Sequence, residues 1–250
     1  MDAQIELAPG ETDAGGGAAS RCVVALRGTL SDASGPALVT ELADLVRRRS
    51  PVVADVSGLT LADPGAVSAL AEAFAQAGEW PDVRLALVAP GPALAAALVG
   101  SGVADRVPVY ADEADAVLHL DTRPALTSAF WHFTVTPRAP ATARGHVRRV
   151  CRRWDVDDDA REAAEIVVTE LVTNAVEHAV SASLVEVERR RNAFRLTVRD
   201  YDRATLPDAT LPDPASPRGR GLAMVAAVAQ AWGVDAHADG KTVWAEMAAP

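Results

Sequence analysis

The sequence predicts an α/β half followed by a separate α+β half. Three observations carry that prediction. Apolar runs of strand length alternate with amphipathic helical stretches from residue 22 to about residue 120. The order then changes to a strand, two helices, a strand hairpin, a loop, a helix and a closing strand. Between the two lies a short turn-rich stretch, Asp-Thr-Arg-Pro-Ala-Leu-Thr at 121–127. A chain of 250 residues with 49% hydrophobic side chains can form two modest cores.

Taken in order, residues 8–20 are small and glycine-rich without hydrophobic period, so residues 1–20 are expected to form a flexible tail, with order beginning near Arg21. Strands are expected at 22–26, 52–56, 83–88 and 107–110, and helices at 37–48, 67–76, 93–99 and 112–120. Helices packed on a sheet make this first domain, 21–120, an α/β sandwich, with 121–126 as linker and 127–250 as the second domain. In the second domain a strand at 130–135 precedes a helix at 142–154. That helix places Val147, Val150, Cys151 and Trp154 on one face and Arg144, Arg148, Arg149, Arg152 and Arg153 on the other. The arginine face reads as a solvated helix surface ahead of a docking surface for an acidic partner. A helix at 158–179, strands at 184–190 and 194–200, a helix at 221–232 and a strand at 242–247 complete the domain.

The formal net charge of −10 argues against broad nucleic-acid binding, which depends on a cationic surface that neutralises phosphates. Cys22 and Cys151 are far apart and lack metal-ligand spacing, so neither a disulfide framework nor a zinc site is indicated. The opening residues are acidic, with no basic region leading an apolar run, and no apolar stretch reaches spanning length, so a cytoplasmic protein away from the membrane is expected.

The chemistry concentrates in the second domain. In Ile166-Val-Val-Thr-Glu-Leu-Val-Thr-Asn-Ala-Val-Glu-His-Ala179, the apolar Val167, Leu171 and Val172 bury one side of a helix, while Glu170, Asn174 and His178 recur every four residues on another. A carboxylate and a carboxamide one turn apart suit a magnesium-nucleotide site: the hard cation takes oxygen ligands, and the carboxylate can accept a proton. The same spacing also occurs on plain solvated helices. Asp200 ends a strand, where its carboxylate can accept from an adenine amino group or serve as an ordinary strand-end aspartate. Arg218-Gly-Arg-Gly-Leu-Ala-Met-Val225 opens a helix with Gly219 and Gly221, leaving backbone N–H groups clear for phosphate, with Arg218 and Arg220 nearby. Asp239-Gly-Lys-Thr-Val-Trp-Ala-Glu246 has the pattern of a hairpin turn into an edge strand, where Thr242 can offer a hydroxyl to a nucleotide.

In this order and spacing, residues 127–250 resemble the GHKL (Bergerat-fold, histidine kinase-like) ATPases. More narrowly, Glu-Leu-Val-Thr-Asn-Ala-Val-Glu-His-Ala, Gly-Arg-Gly-Leu-Ala-Met-Val and Gly-Lys-Thr-Val-Trp resemble the anti-sigma-factor serine kinases and their actinobacterial relatives. The resemblance implies a second α/β sandwich that binds ATP and Mg2+. It implies that Asn174 coordinates the magnesium, that Glu170 is the candidate general base, and that Asp200 contacts adenine. Gly219 and Gly221 would cradle phosphate, with Arg220 and Thr242 as further nucleotide contacts; for His178 a packing role is equally open. Two departures stand out. Asp200 is followed by Tyr-Asp-Arg-Ala where many members carry glycines, and the loop 205–217 holds Pro207, Pro212, Pro214 and Pro217, which makes a restrained lid.

In the first domain, Val23-Val-Ala-Leu-Arg-Gly-Thr-Leu30, Val52-Val-Ala-Asp-Val-Ser-Gly-Leu-Thr-Leu-Ala-Asp-Pro-Gly65 and Leu85-Ala-Leu-Val88 resemble a STAS domain, the fold of anti-sigma-factor antagonists. There a serine at a helix start is the phosphorylation switch. Here Asp63 is retained and Pro64 stands in the serine position, so the switch is expected to be missing; Ser57 and Ser68 read as ordinary turn and helix serines. The combined resemblance implies an ATP-binding regulator. The first reading is a serine/threonine kinase acting on a partner antagonist, and the alternative is a non-catalytic ATP-binding protein that sequesters its partner. Sigma factors and their antagonists are the expected partners, with a homodimer, common among the relatives, a further expectation.

Overall fold

The computed structural model describes residues 6–9, 21–202 and 219–249 of the chain. It divides into two compact units, Met1–Thr127 and Ser128–Pro250. Among the described residues no helix is long and apolar enough to cross a membrane.

The N-terminal unit is a five-stranded sheet in the order β1-β2-β3-β4-β5, formed by Glu6–Pro9, Cys22–Leu30, Val52–Leu61, Leu85–Val88 and Val109–Tyr110. β1 runs antiparallel to β2, and the remaining neighbours are parallel. The helices are α1 (Gly35–Arg49), α2 (Ser68–Ala77), α3 (Pro92–Gly100), the short α4 (Val103–Arg106) and α5 (Glu113–His119). β3 shows why the sheet needs helices on both sides. Val52, Ala54 and Val56 belong to the large core with Leu38, Leu42 and Val46 of α1 and Leu70 of α2. Val53, pointing the other way, packs with Ala86, Val88 and Ala116 of α5. A central parallel strand therefore reads as a continuous apolar run. α1 carries Pro36 in its first turn, where the missing N–H costs nothing, and ends on Arg47, Arg48 and Arg49, whose charges suit the carbonyl end of the helix.

One expectation is corrected here: Glu6–Pro9 is a strand and no part of a flexible tail. Leu7 faces Leu26 across the ladder and packs on the main core, so the edge of β2 is covered by a segment too short to carry a period of its own.

The C-terminal unit is a five-stranded sheet in the order β6-β7-β8-β10-β9, from Thr127–Phe133, Ser183–Arg189, Ala193–Asp200, Gly240–Ala248 and Ala231–His237. β7, β8, β10 and β9 pair antiparallel. α6 (Ala139–Arg153) packs on α7 (Asp158–Asn174), and α7 packs on β8, β10 and α8 (Gly219–Val228). Alternation sorts the sheet: Val185, Val187, Phe194, Leu196, Val198, Val243, Ala245 and Met247 are buried. Arg195 and Trp244 lie on the opposite face, with the guanidinium 4.3 Å from the indole centroid. On α6, Val147, Val150 and Cys151 turn inward with Trp154 just beyond, and burial pushes the Cys151 thiol up to about 12, so it is an inert packing group. Arg148 on the outer side donates two hydrogen bonds to Glu165 of α7.

Two further expectations change. The helix predicted to continue to Trp232 stops at Val228, and Ala231–His237 forms β9. β9 is the edge, and β10, expected at the edge, lies inside the sheet between β8 and β9.

Candidate functional site

α7 begins on Asp157, whose carboxylate accepts from Ala160 N–H at 2.9 Å, with Asp158 and Asp159 in the first turn. Its inner face is Val167, Val168, Leu171 and Val172, which leaves Glu170 and Asn174 half-buried at the margin. Beyond Asn174 the helix widens into a π turn, Ala175–Ala179, closed by Val180 at a φ of 46°. The four-residue spacing that aligned His178 with Glu170 and Asn174 therefore does not define a continuous face past Asn174.

The first turn of α8 approaches this margin. A Cβ placed on Gly221 would lie 2.9 Å from Glu170 Oε2, 3.6 Å from Asn174 Nδ2 and 3.7 Å from Asn174 Oδ1. A Cβ there would crowd the Glu170 carboxylate and touch Asn174, so glycine keeps the space beside these two polar groups open. Residues from separate elements thus meet: a carboxylate, a carboxamide and the start of a ten-residue helix whose first N–H groups have no intrahelical acceptors. Gly219 and Arg220 belong to that same turn. Arg218 and the proline-rich loop expected as a lid lie outside the described residues.

Asp200 ends β8 on the buried, helix-covered face and is 5% exposed. Its Oδ2 is 2.8 Å from Lys241 Nζ, and its Oδ1 accepts from Asp202 N–H at 3.3 Å. The turn before Lys241 is tight. Gly240 has a φ of 152°, and a Cβ there would fall 2.1 Å from the Asp200 carbonyl oxygen, so only glycine fits. Lys241 pairs with Asp200 in the ladder and shares the face of Val243 and Ala245. Thr242, the expected hydroxyl donor to the nucleotide, is therefore on the opposite face, where its Oγ1 lies 2.8 Å from His237 Nε2. Sequence reading missed Lys241. The buried alternation of 243, 245 and 247 was the signal that assigns position 241, and not 242, to the inner side.

The residues present suit a nucleotide with magnesium. Among the described residues no group of three His, Cys, Asp or Glu side chains gathers as a cage. A magnesium held by one amide oxygen, water and nucleotide phosphates needs none, and the amide oxygen of Asn174 is beside the start of α8.

In the N-terminal unit, β3 leads to a 3₁₀ turn, Pro64–Val67, capped by Asp63, whose Oδ1 accepts from Gly65 N–H at 2.9 Å. Pro64 is exposed in its first turn and offers no hydroxyl. Ser57 and Ser68 are exposed on β3 and at the start of α2.

Residues 133–247 match the family described as histidine kinase-like ATPase domain, and residues 16–109 match the family described as Mlab, STAS domain. A comparison with curated proteins found no match. Solved structures with similarity include the RsbU and RsbW domains of a Mycobacterium tuberculosis protein, at 21% identity and a TM-score of 0.38, covering 49% of this chain and 33% of that one. An anti-sigma factor antagonist from Mycobacterium paratuberculosis is 24% identical, with a TM-score of 0.38, over 46% of this chain and 93% of its own. An anti-sigma-factor antagonist (STAS) domain protein from Planctomyces limnophilus is 14% identical, with a TM-score of 0.36, over 47% of this chain and 98% of its own. The chain thus spans a third of the length of the first of these.

Proposed function

We propose that this chain, which joins a STAS domain to a histidine kinase-like ATPase domain, is a cytoplasmic ATP-binding regulator of a partner-switching pathway. In this reading it transfers the γ-phosphoryl group of ATP to a serine or threonine of a separate antagonist protein. The working units are taken as residues 21–120 and 127–250. The observation that carries the reading is the meeting of Glu170, Asn174 and Gly221 at the start of α8.

Each residue has a definite task. The side-chain oxygen of Asn174 would hold magnesium, whose positive charge would offset that of the phosphates. The N–H groups of the first turn of α8 and the space left by Gly221 receive the phosphate oxygens. Asp200 accepts from the base. Glu170 accepts the proton of the partner hydroxyl as that oxygen bonds to the γ-phosphorus and the bond from phosphorus to the ADP oxygen breaks. The STAS domain, with Pro64 in the phosphoacceptor position, serves as a docking module that this switch cannot turn off.

A second reading has an observation of its own. Tyr201 follows Asp200 directly and is 41% exposed, a bulky neighbour for the base, which favours a site that binds ATP tightly enough to shape a partner-binding surface without turning it over. Labelled ATP with purified antagonist proteins separates the two. The kinase reading expects phosphate on the antagonist with wild type and none with Glu170→Gln, while both proteins bind ATP. Binding without transfer to any antagonist supports the second reading.

A further inference from the structure

The base end of the site holds an ion pair to which the tasks above give no role. Lys241 Nζ is 2.8 Å from Asp200 Oδ2, and the two side chains are 12% and 7% exposed. Taking both charges out of water is costly, and their attraction offsets that cost only with good geometry and further hydrogen bonds. The geometry is set by the backbone, since the tight turn at Gly240 leaves no room for a side chain beside the Asp200 carbonyl and the ladder places Lys241 opposite Asp200. An ammonium carries three N–H donors and a carboxylate about four accepting positions. Asp200 Oδ2 engages one donor, and the Asp202 N–H occupies one acceptor on Oδ1. One strand end therefore sets an acceptor and a donor side by side in a fixed order.

We propose that Lys241 is a specificity-determining residue for the base. Asp200 accepts from the exocyclic amino group of adenine while Lys241 donates to the neighbouring ring nitrogen N1, so that the ion pair and not Asp200 alone selects adenine. Guanine offers an oxygen where adenine has its amino group and an N–H where adenine has N1, which sets acceptor against acceptor and donor against donor. The inference rests on the reading of Asp200 as the base contact.

Calorimetric affinities of wild type and Lys241→Met for magnesium complexes of ATP, GTP and 1-deaza-ATP, which lacks the N1 acceptor, test it. Wild type is expected to prefer ATP to 1-deaza-ATP and to GTP by about tenfold or more, the loss of one hydrogen bond to a charged group. In Lys241→Met the preference over 1-deaza-ATP vanishes, because the atom removed from the ligand no longer has its partner. A merely structural lysine would weaken all three ligands together and leave the preference intact, which overturns the proposal. If the variant fails to fold, equal wild-type affinity for ATP and 1-deaza-ATP overturns it without any variant. Absence of ATP binding by wild type would instead sink the nucleotide reading itself.

Discussion

The helix start after β3 in the N-terminal unit is closed by its own residues, whereas the start of α8 in the C-terminal unit borders side chains that another helix supplies. After β3, Asp63 takes the Gly65 N–H and Pro64 supplies neither N–H nor hydroxyl, so the turn is complete within a few residues. At α8 the first turn meets Glu170 and Asn174, contributed by another helix. A self-satisfied start adds stability and little chemistry. A start bordered by a carboxylate and a carboxamide is suited to an anionic ligand with its cation.

The contrast breaks most sharply at glycines. Gly240→Ala forces a Cβ onto the Asp200 carbonyl oxygen at a φ of 152°. The C-terminal unit should lose on the order of 3 kcal/mol or more and its ATP site with it, whereas Gly65→Ala, whose Cβ would meet only Asp63 Oδ1 at 3.3 Å, should stay within about 1 kcal/mol. Urea melts of the two variants compare them directly. Next in size, Gly221→Ala should fold, because the atom it meets, Glu170 Oε2, ends a flexible side chain. Its ATP affinity should nevertheless drop at least about tenfold, about 1.4 kcal/mol, as read by calorimetry; unchanged affinity would mean that this helix start does not receive phosphate.

Pro64→Ser tests the closed start. Serine is itself tolerated in a capped first turn, so stability should shift by less than about 1 kcal/mol. If the N-terminal unit retains the docking surface of a switchable antagonist, mass spectrometry after incubation with a kinase of this class should find phosphate on the introduced hydroxyl of the variant. Wild type, with no hydroxyl at that position, should carry none there.

The smallest effect is on pH dependence. Burial, and then the charge of Arg149, hold His146 below its ordinary value, where it stacks on Trp131. The hydrogen bond from Arg148 holds Glu165 below the usual carboxylate range. Both folded values are depressed, so each contribution is present above the unfolded pKa and lost as pH falls through the folded one. Tyr110 in the N-terminal unit is raised, chiefly by burial, so its contribution is present below its unfolded value and fades only in strong alkali. Acid should therefore weaken the C-terminal unit first, and His146→Gln should flatten the part of that slope near the ordinary histidine pKa of about 6.5 in thermal melts.

The sequence was legible where burial was one-sided and the period ran long. α1, α6 and β8 fall close to their expected spans because each repeats an inner face over several turns or alternations. β1 and β9 were hidden for opposite reasons. The first has four residues, and the second follows an apolar helix whose pattern runs on through Ala231 and Trp232, while most of its own residues stay solvent-facing. The Glu170 and Asn174 pair was readable from its four-residue spacing. The approach of Gly221 to it depends on how α8 packs on α7, which no local pattern encodes. That Lys241 and not Thr242 lies on the face of Asp200 was a matter of strand parity, decidable only once the buried face of β10 was fixed.

The most direct measurement is calorimetric binding of ATP to the full chain with and without magnesium, beside Asn174→Ala. Magnesium-dependent binding by wild type, weakened at least about tenfold in the variant, is the predicted result. Equal binding by both proteins, or none by wild type, would contradict the placement of a magnesium-nucleotide site between α7 and α8.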